Sequence, residues 1–246
     1  MKHIDSETNP LIKTLRRLAR PRKREPRFLL EGRKLVDAAI DSGIELEAIV
    51  VSTTYRGSPP ERVGDPTEPI TLGDALFRKI STLESPEGIL AIAKRPPSVT
   101  PSSGLIAVAA GIQDPGNLGA IARVVEASGA SGLVVLKGSA DPFGPKAVRG
   151  SMGSVVRLPV VESPDMSALG GFRKAAIVAR GGDDFRAVDW TPPLAVVFGS
   201  EAAGLDDAML AQCDLRVSIP MRGEVESLNV ATAAALILYE ATRSRE

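Results

Sequence analysis

Asn117 with Arg123, then Glu201, then Ser227 with Asn229 are the residues of this 246-residue chain best equipped for chemistry, and each set follows closely on an apolar run. Amides, a guanidinium, a carboxylate and a hydroxyl can orient a sugar or hold a phosphate. None of them titrates near neutrality as an imidazole does, and the chain has one His, at position 3. That excludes Ser-His-Asp and Cys-His nucleophilic catalysis and His-ligated metal chemistry. The single cysteine, Cys213, excludes an internal disulfide and a zinc knuckle. No G-x-S-x-G nucleophile elbow occurs, and the glycines of residues 111–119 lack the G-x-G-x-x-G spacing of a dinucleotide cradle. The reaction must rely on Arg, Glu, Asp, Ser, Asn or a bound cofactor, with no metal ligand set.

Each set also has a plainer reading. Asn117 and Arg123 are six residues apart, close to two helical turns, so the spacing allows a shared face if both are helical, with an imperfect phase. Arg123 stands among Leu118, Ile121, Ala122, Val124 and Val125, where a guanidinium wants a carboxylate or phosphate partner. An ion pair with Glu126 or another acid would satisfy it equally. Gly199 to Leu205 is rich in small residues that let a ligand approach the backbone, with Glu201 as the strong acceptor. The same run would serve as a turn before a helix at 206–212. Ser227 and Asn229 suit the start of the Ala-rich helix Val230–Thr242 as caps.

The elements that must carry these residues follow from the apolar pattern. Five near-continuous apolar runs, at 105–110, 133–136, 175–179, 194–198 and 215–219, read as buried parallel strands separated by helices. Ligands of such sheets sit beyond the carboxyl ends of the strands, which is where the three sets lie. Upstream, strands at 27–31, 47–52 and 88–93 and helices at 32–42 and 73–80 form a small α/β unit. The Pro- and Ser-rich stretch 95–104 separates it from the rest. The expected division is 1–97, a linker at 98–104, and 105–246. Residues 1–34 hold eleven Lys or Arg against four Asp or Glu in a chain of zero formal net charge. A short cationic helix after Pro10, with a basic loop behind it, is expected to meet a polyanion. His3 is expected at a frayed terminus. The longest apolar run, Val230 to Tyr239, is about half of a bilayer span, so no membrane helix is expected, and the polar, charged first fifteen residues, where a secretory signal would be apolar, lead to the expectation of a cytoplasmic address. Apolar groups on most of the circumference of Val230–Thr242 point to a helix buried twice, on its own sheet and on a second copy of the chain.

Taken together and in order, the sets resemble the three motifs of the SpoU (TrmH-type) RNA ribose 2′-O-methyltransferases. The residues that carry the likeness are Asp114-Pro115-Gly116-Asn117-Leu118-Gly119-Ala120-Ile121 with Arg123, then Val197-Phe198-Gly199-Ser200-Glu201 with Gly204-Leu205. Ile219-Pro220-Met221 with Gly223, Val225-Glu226-Ser227-Leu228-Asn229-Val230 and Tyr239-Glu240 complete it. Ala202 departs from the Gly common in the family and leaves less room beside the loop. The resemblance implies a SPOUT α/β fold, with a trefoil-knotted parallel-sheet methyltransferase domain behind a smaller N-terminal substrate-binding domain. It implies S-adenosyl-L-methionine as cofactor, bound at Gly199, Ile219 and Leu228, and a homodimer through the knot and final helix. It implies that Arg123 is catalytic and acts with the cofactor of the other subunit; a guanidinium is almost always protonated, which favours clamping a phosphate and easing loss of the 2′-hydroxyl proton, with a base role only in an unusual environment. Asn117 would orient Arg123 or the ribose, Glu201 and Ser227 would position the catalytic loop or substrate, and Asn229 would order the third loop. RNA is the implied partner. The basic head and separate small domain are more like members acting on ribosomal RNA than the compact transfer-RNA enzymes, which remain the alternative. A catalytically silent RNA-binding homologue and a dinucleotide-dependent oxidoreductase are the readings to be separated by experiment.

Overall fold

The computed structural model describes residues 2–58, 60, 68–97 and 99–243. Residues 3–94 contain β1 (His3–Ile4), α1 (Pro10–Ala19), β2 (Arg27–Glu31), α2 (Arg33–Asp41), β3 (Leu46–Ser52), β4 (Ile70–Leu72), α3 (Asp74–Ile80) and β5 (Ile89–Lys94). The strands form one sheet in the order β1-β4-β3-β5-β2, with β2 and β3 antiparallel to β5. Helix α1 begins where the Asn9 side chain accepts from Leu11 N, with Pro10 preset at its start. Ile12, Leu15, Leu18 and Ala19 then fall on one buried stripe. His3 is not frayed: β1 pairs in parallel with β4, and Ile4 beside it is buried. These two short strands carry too few apolar residues to register as strands in the sequence. Most of the polar stretch 57–69 lies outside the described residues.

The second part runs β6 (Leu105–Ala109), α4 (Pro115–Ala127), β7 (Gly132–Leu136), α5 (Pro145–Gly150), α6 (Ser154–Arg157), β8 (Val160–Ser163), β9 (Arg173–Ile177), β10 (Asp183–Asp184), β11 (Leu194–Phe198), α7 (Asp207–Leu210), β12 (Leu215–Ser218) and α8 (Val230–Thr242). Seven strands pair in parallel in the order β10-β12-β9-β11-β6-β7-β8. Every residue of β6, β7 and β11 is buried, which is why these strands read as unbroken apolar runs. Strands β8 and β10 join the five expected ones; they lie at the sheet's edges, and the second is a pair of acids with no apolar signal. The chain leaves β6 toward β7 and β8, then crosses to β9 on the far side, and β11 fills the gap between β9 and β6. That reversal brings the carboxyl ends of β6, β9, β11 and β12 to one region.

The two sheets share packing. Phe28 and Leu30 of β2 belong to the same buried cluster as Phe143 and Val148. Arg95 ties the parts across this seam, reaching Asp141 at 2.5 Å and Glu162 at 2.6 Å while stacking over Phe143 at 5.0 Å. Among the described residues no helix is long and apolar enough to cross a membrane.

Candidate functional site

The sequence pattern implies a loop over 111–119 followed by a helix over 120–128, but helix α4 starts earlier, at Pro115. Asp114 caps it by accepting from Gly116 N, and Pro115 occupies its first position, so much of the expected first loop is helix. Gly119 is required by the packing of α4 on α5: a Cβ there would lie 2.4 Å from Ala147 O and 2.9 Å from Ser151 N. The turn before α4 is held by Ser139, whose hydroxyl accepts from Gly111 N at 2.9 Å and Ile112 N at 3.2 Å and donates to Ala109 O. Nothing in the spacing of Ser139 marks it in the sequence.

Asn117 and Arg123 are both helical, but they do not share a face. Six residues at about 100° each leave them roughly 120° apart around the axis and about 9 Å apart along it. Asn117 is half-buried and donates from Nδ2 to Glu201 Oε1 at 2.9 Å. Its Oδ1 accepts from Asn229 Nδ2 at 3.0 Å. One amide therefore joins the loop after β11 to the start of α8. Asn229 also caps α8, accepting from Ala231 N at 2.9 Å. The capping reading and the site reading of Asn229 are thus compatible. Asn117 is engaged by Glu201 and Asn229 rather than by Arg123.

Glu201 accepts, in addition, from Gln113 N at 3.3 Å and Asp114 N at 3.4 Å. Burial pushes its carboxyl pKa up, but the bonds from Asn117 and from backbone N–H groups, Gln113 and Asp114 among them, outweigh that and hold it below the usual glutamate value. It stays a carboxylate, an acceptor fixing two loops, at neutral pH. Asp114 is likewise held below the usual aspartate value, first by Lys146 and then by Gly116 N.

Arg123 is exposed and makes no ion pair with a described residue. Glu126, the acid expected to compete for it, is bonded instead to Arg157 at 2.5 and 2.9 Å. The guanidinium is thus free to meet a ligand or a second chain.

A cavity of about 570 Å³ borders these groups, at the carboxyl ends of β9, β11 and β12. Gly199, Ile219 and Leu228 line it, with Glu201, Ser227 and Asn229 at its border, while Arg123 does not. Ile177, Val178 and Ala179, at the end of β9, form a wall that the sequence reading did not single out because these residues carry no polar group. Gly199 is the tight point: a Cβ there would lie 2.3 Å from Gly204 C and 2.5 Å from Leu205 N. The loop can close on itself, through paired Ser200 and Gly204 backbone bonds, only with hydrogen at that position. The walls combine apolar Ile177, Phe198, Ile219 and Leu228 with the main chain of 199–205. A small molecule with a flat apolar ring and polar edges suits such a lining.

Residues 104–239 match the model of the SpoU rRNA Methylase family, and residues 9–91 match that of an MRM3-like substrate binding domain. A 23S rRNA guanosine 2′-O-methyltransferase, RlmP of Bacillus subtilis (strain 168), is 31% identical over 97% of this chain and 98% of its own length. The crystal structure of the SpoU methyltransferase AviRb from Streptomyces viridochromogenes with the cofactor AdoMet superposes with a TM-score of 0.87 at 30% identity, covering 96% of this chain and 98% of that one. An AdoMet-bound rRNA methyltransferase from Sinorhizobium meliloti gives 0.86 at 29% identity over 98% of this chain and 97% of that one.

Proposed function

Because the chain belongs to the SpoU rRNA methylase family, we propose that it transfers a methyl group from S-adenosylmethionine to a ribose 2′-hydroxyl of ribosomal RNA. The observation that carries this reading is the meeting of the loops after β9, β11 and β12 in one cavity, bordered by Glu201 and Asn229, which Asn117 joins. Gly199, Ile219 and Leu228 would hold the cofactor, whose chemistry is to supply an electrophilic methyl group. The apolar walls offer surface for its ring and the main chain of 199–205 offers hydrogen bonds.

A 2′-hydroxyl is a weak acid, so the protein must place it in line and ease loss of its proton. Arg123 is the residue for this: a protonated guanidinium grips a phosphate with two N–H groups and stabilises charge developing on the neighbouring oxygen. It has no ion-pair partner among the described residues of its own chain and is absent from the lining of its own cavity, which supports action on the cavity of a second copy. Glu201, Asn117 and Asn229 join the loops around the cavity, and Ser227, in its lining, would position substrate. A homodimer through α8 agrees with the exposure of Leu236 and Tyr239, 42% and 55%, on a helix whose other side buries Ala234, Ile237, Leu238 and Ala241. The division into an RNA-binding part at 1–97, a linker at 98–104 and a knotted catalytic part at 105–246, working in the cytoplasm, completes the reading. Calorimetric titration tests it: one S-adenosylmethionine per chain and no nicotinamide dinucleotide is the expected result. Nicotinamide binding would restore the oxidoreductase reading, and no cofactor binding would make the protein a silent RNA binder.

A further inference from the structure

A second groove lies at the seam of the two parts, outside the cavity just described. It holds about 470 Å³ between the end of α1, the turn that follows α3, and α5. Among the described residues three cations line it, Arg20, Lys146 and Arg149, with Glu84 the one acid in its wall. Lys146 already balances Asp114 at 3.0 Å. Arg20 and Arg149 have no ion pair with a described residue, and Arg149 is half-buried.

Arg149 is also held in place. Its Nη1 donates to Thr82 Oγ1 at 2.6 Å, and that hydroxyl spends its own hydrogen on Glu31 Oε2 at 2.6 Å. Glu31 is buried, at 7% exposure, and is further bonded to Ser81 Oγ and Thr82 N. A buried carboxylate thus fixes the guanidinium through one hydroxyl, while most of its five N–H groups have no bond to a described residue. A half-buried, preoriented guanidinium without an acid is a fork built for an external anion, and phosphate is the anion it fits best.

We propose that this groove binds a backbone phosphate of the substrate RNA, with Arg149 as the fork and Arg20 and Lys146 as flanking charges. It rests on the RNA reading above and adds a location: the strand is gripped jointly by both parts of the chain, beside the Asp114 cap from which α4 carries Asn117 and Arg123. The seam, rather than the basic head alone, then sets which sugar reaches the cavity.

The test is filter binding of the full-length protein to a 23S rRNA transcript across a KCl series, for wild type, Arg149→Gln and the exposed pair Arg20→Gln with Lys146→Gln. Each lost phosphate contact should shrink the salt slope by about 0.7–0.9. Arg149→Gln is expected to weaken RNA binding roughly tenfold, flatten the slope by one such step, and raise the KM for RNA, with S-adenosylmethionine affinity and thermal midpoint unchanged. The surface pair should flatten the slope independently, which keeps the proposal testable if Arg149→Gln does not fold. Wild-type RNA binding with an unaltered slope in all variants overturns the groove alone. Parallel loss of cofactor affinity and thermal midpoint in Arg149→Gln, with no effect of the surface pair, also overturns it by making Arg149 a structural residue. Failure of the wild type to bind RNA at all overturns the RNA reading, and the groove with it.

Discussion

Asn117→Asp is the sharpest probe of how the cavity loops are coupled. The substitution keeps shape and keeps the Oδ1 that accepts from Asn229, but it replaces the Nδ2 donor, 2.9 Å from Glu201 Oε1, with a carboxylate oxygen. Glu201 is held ionised at neutral pH, so two like charges would face each other across that distance. Coulomb repulsion at about 2.9 Å is about 1.4 kcal/mol at the dielectric of water and about 6 kcal/mol at an effective value of 20. Glu201 is exposed, which favours the lower figure, and the side chains can rotate apart. Adding the loss of a hydrogen bond to a charged group, at about 1.5 kcal/mol, gives a net cost of about 2–3 kcal/mol. For a chain of this length that is a fall of about 4–12 °C in thermal midpoint. Because Glu201 borders the cavity, S-adenosylmethionine affinity should fall roughly tenfold or more, the equivalent of about 1.4 kcal/mol. Combining Asn117→Asp with Glu201→Gln restores a donor facing an acceptor and should recover most of both losses. Calorimetry for the cofactor and differential scanning for the midpoint read this directly. Wild-type behaviour of Asn117→Asp, or no recovery in the double variant, refutes the coupling.

Gly199→Ala should fold but lose cofactor binding at least tenfold, since its Cβ would press on the main chain at Gly204 and Leu205 and open the loop; overpacking of this kind costs about 1–3 kcal/mol. Wild-type affinity in a cofactor titration would contradict it. Arg123→Ala should leave cofactor affinity unchanged and cut methyl transfer about 100- to 1,000-fold, the usual effect of removing one positioned charge, and full activity would take Arg123 out of the mechanism. Glu7 joins α1 to α3 through Lys79 at 2.8 Å and Arg16 at 2.6 Å. Bonding first to Lys79 and then to Arg16 lowers its pKa from 4.5 to about 2. Its folded-state pKa is depressed, so its stabilising contribution is present above pH 4.5 and is lost as pH falls toward about 2. Thermal midpoints of wild type and Glu7→Gln should therefore differ above that window and converge within it, and a constant gap would refute the assignment.

The sequence made some elements legible because their signal is local. Helix α8 has the bounds 230–242 that its apolar run and Asn229 cap imply, and β11 those of its five-residue apolar run. Gly199, Ile219 and Leu228 were marked only by the resemblance to the SpoU methyltransferases, and all three line one space beyond the strand ends. The start of α4 was misplaced although Asp114 and Pro115 carry a start signal, whereas Asn117 and Arg123 fall on different faces because six residues do not complete two helical turns. The Asn117–Asn229 bond joins residues 112 apart in the chain, which no spacing rule reaches. Residues 177–179 escaped because a wall made of Ile, Val and Ala does its work through shape. Arg149 likewise gains its meaning only from Thr82 and Glu31, brought to it by the other part of the fold.

The central claim is that the methyl group ends on a sugar oxygen of ribosomal RNA. Incubating the protein with methyl-labelled S-adenosylmethionine and unmodified 23S rRNA, digesting the RNA to nucleosides and separating them by mass addresses that claim without intermediaries. The expected result is label on ribose, in a 2′-O-methylated nucleoside, with the phosphodiester on its 3′ side resisting alkali in the undigested RNA. Label on a base, or RNA left unlabelled while the protein binds the cofactor, would contradict it.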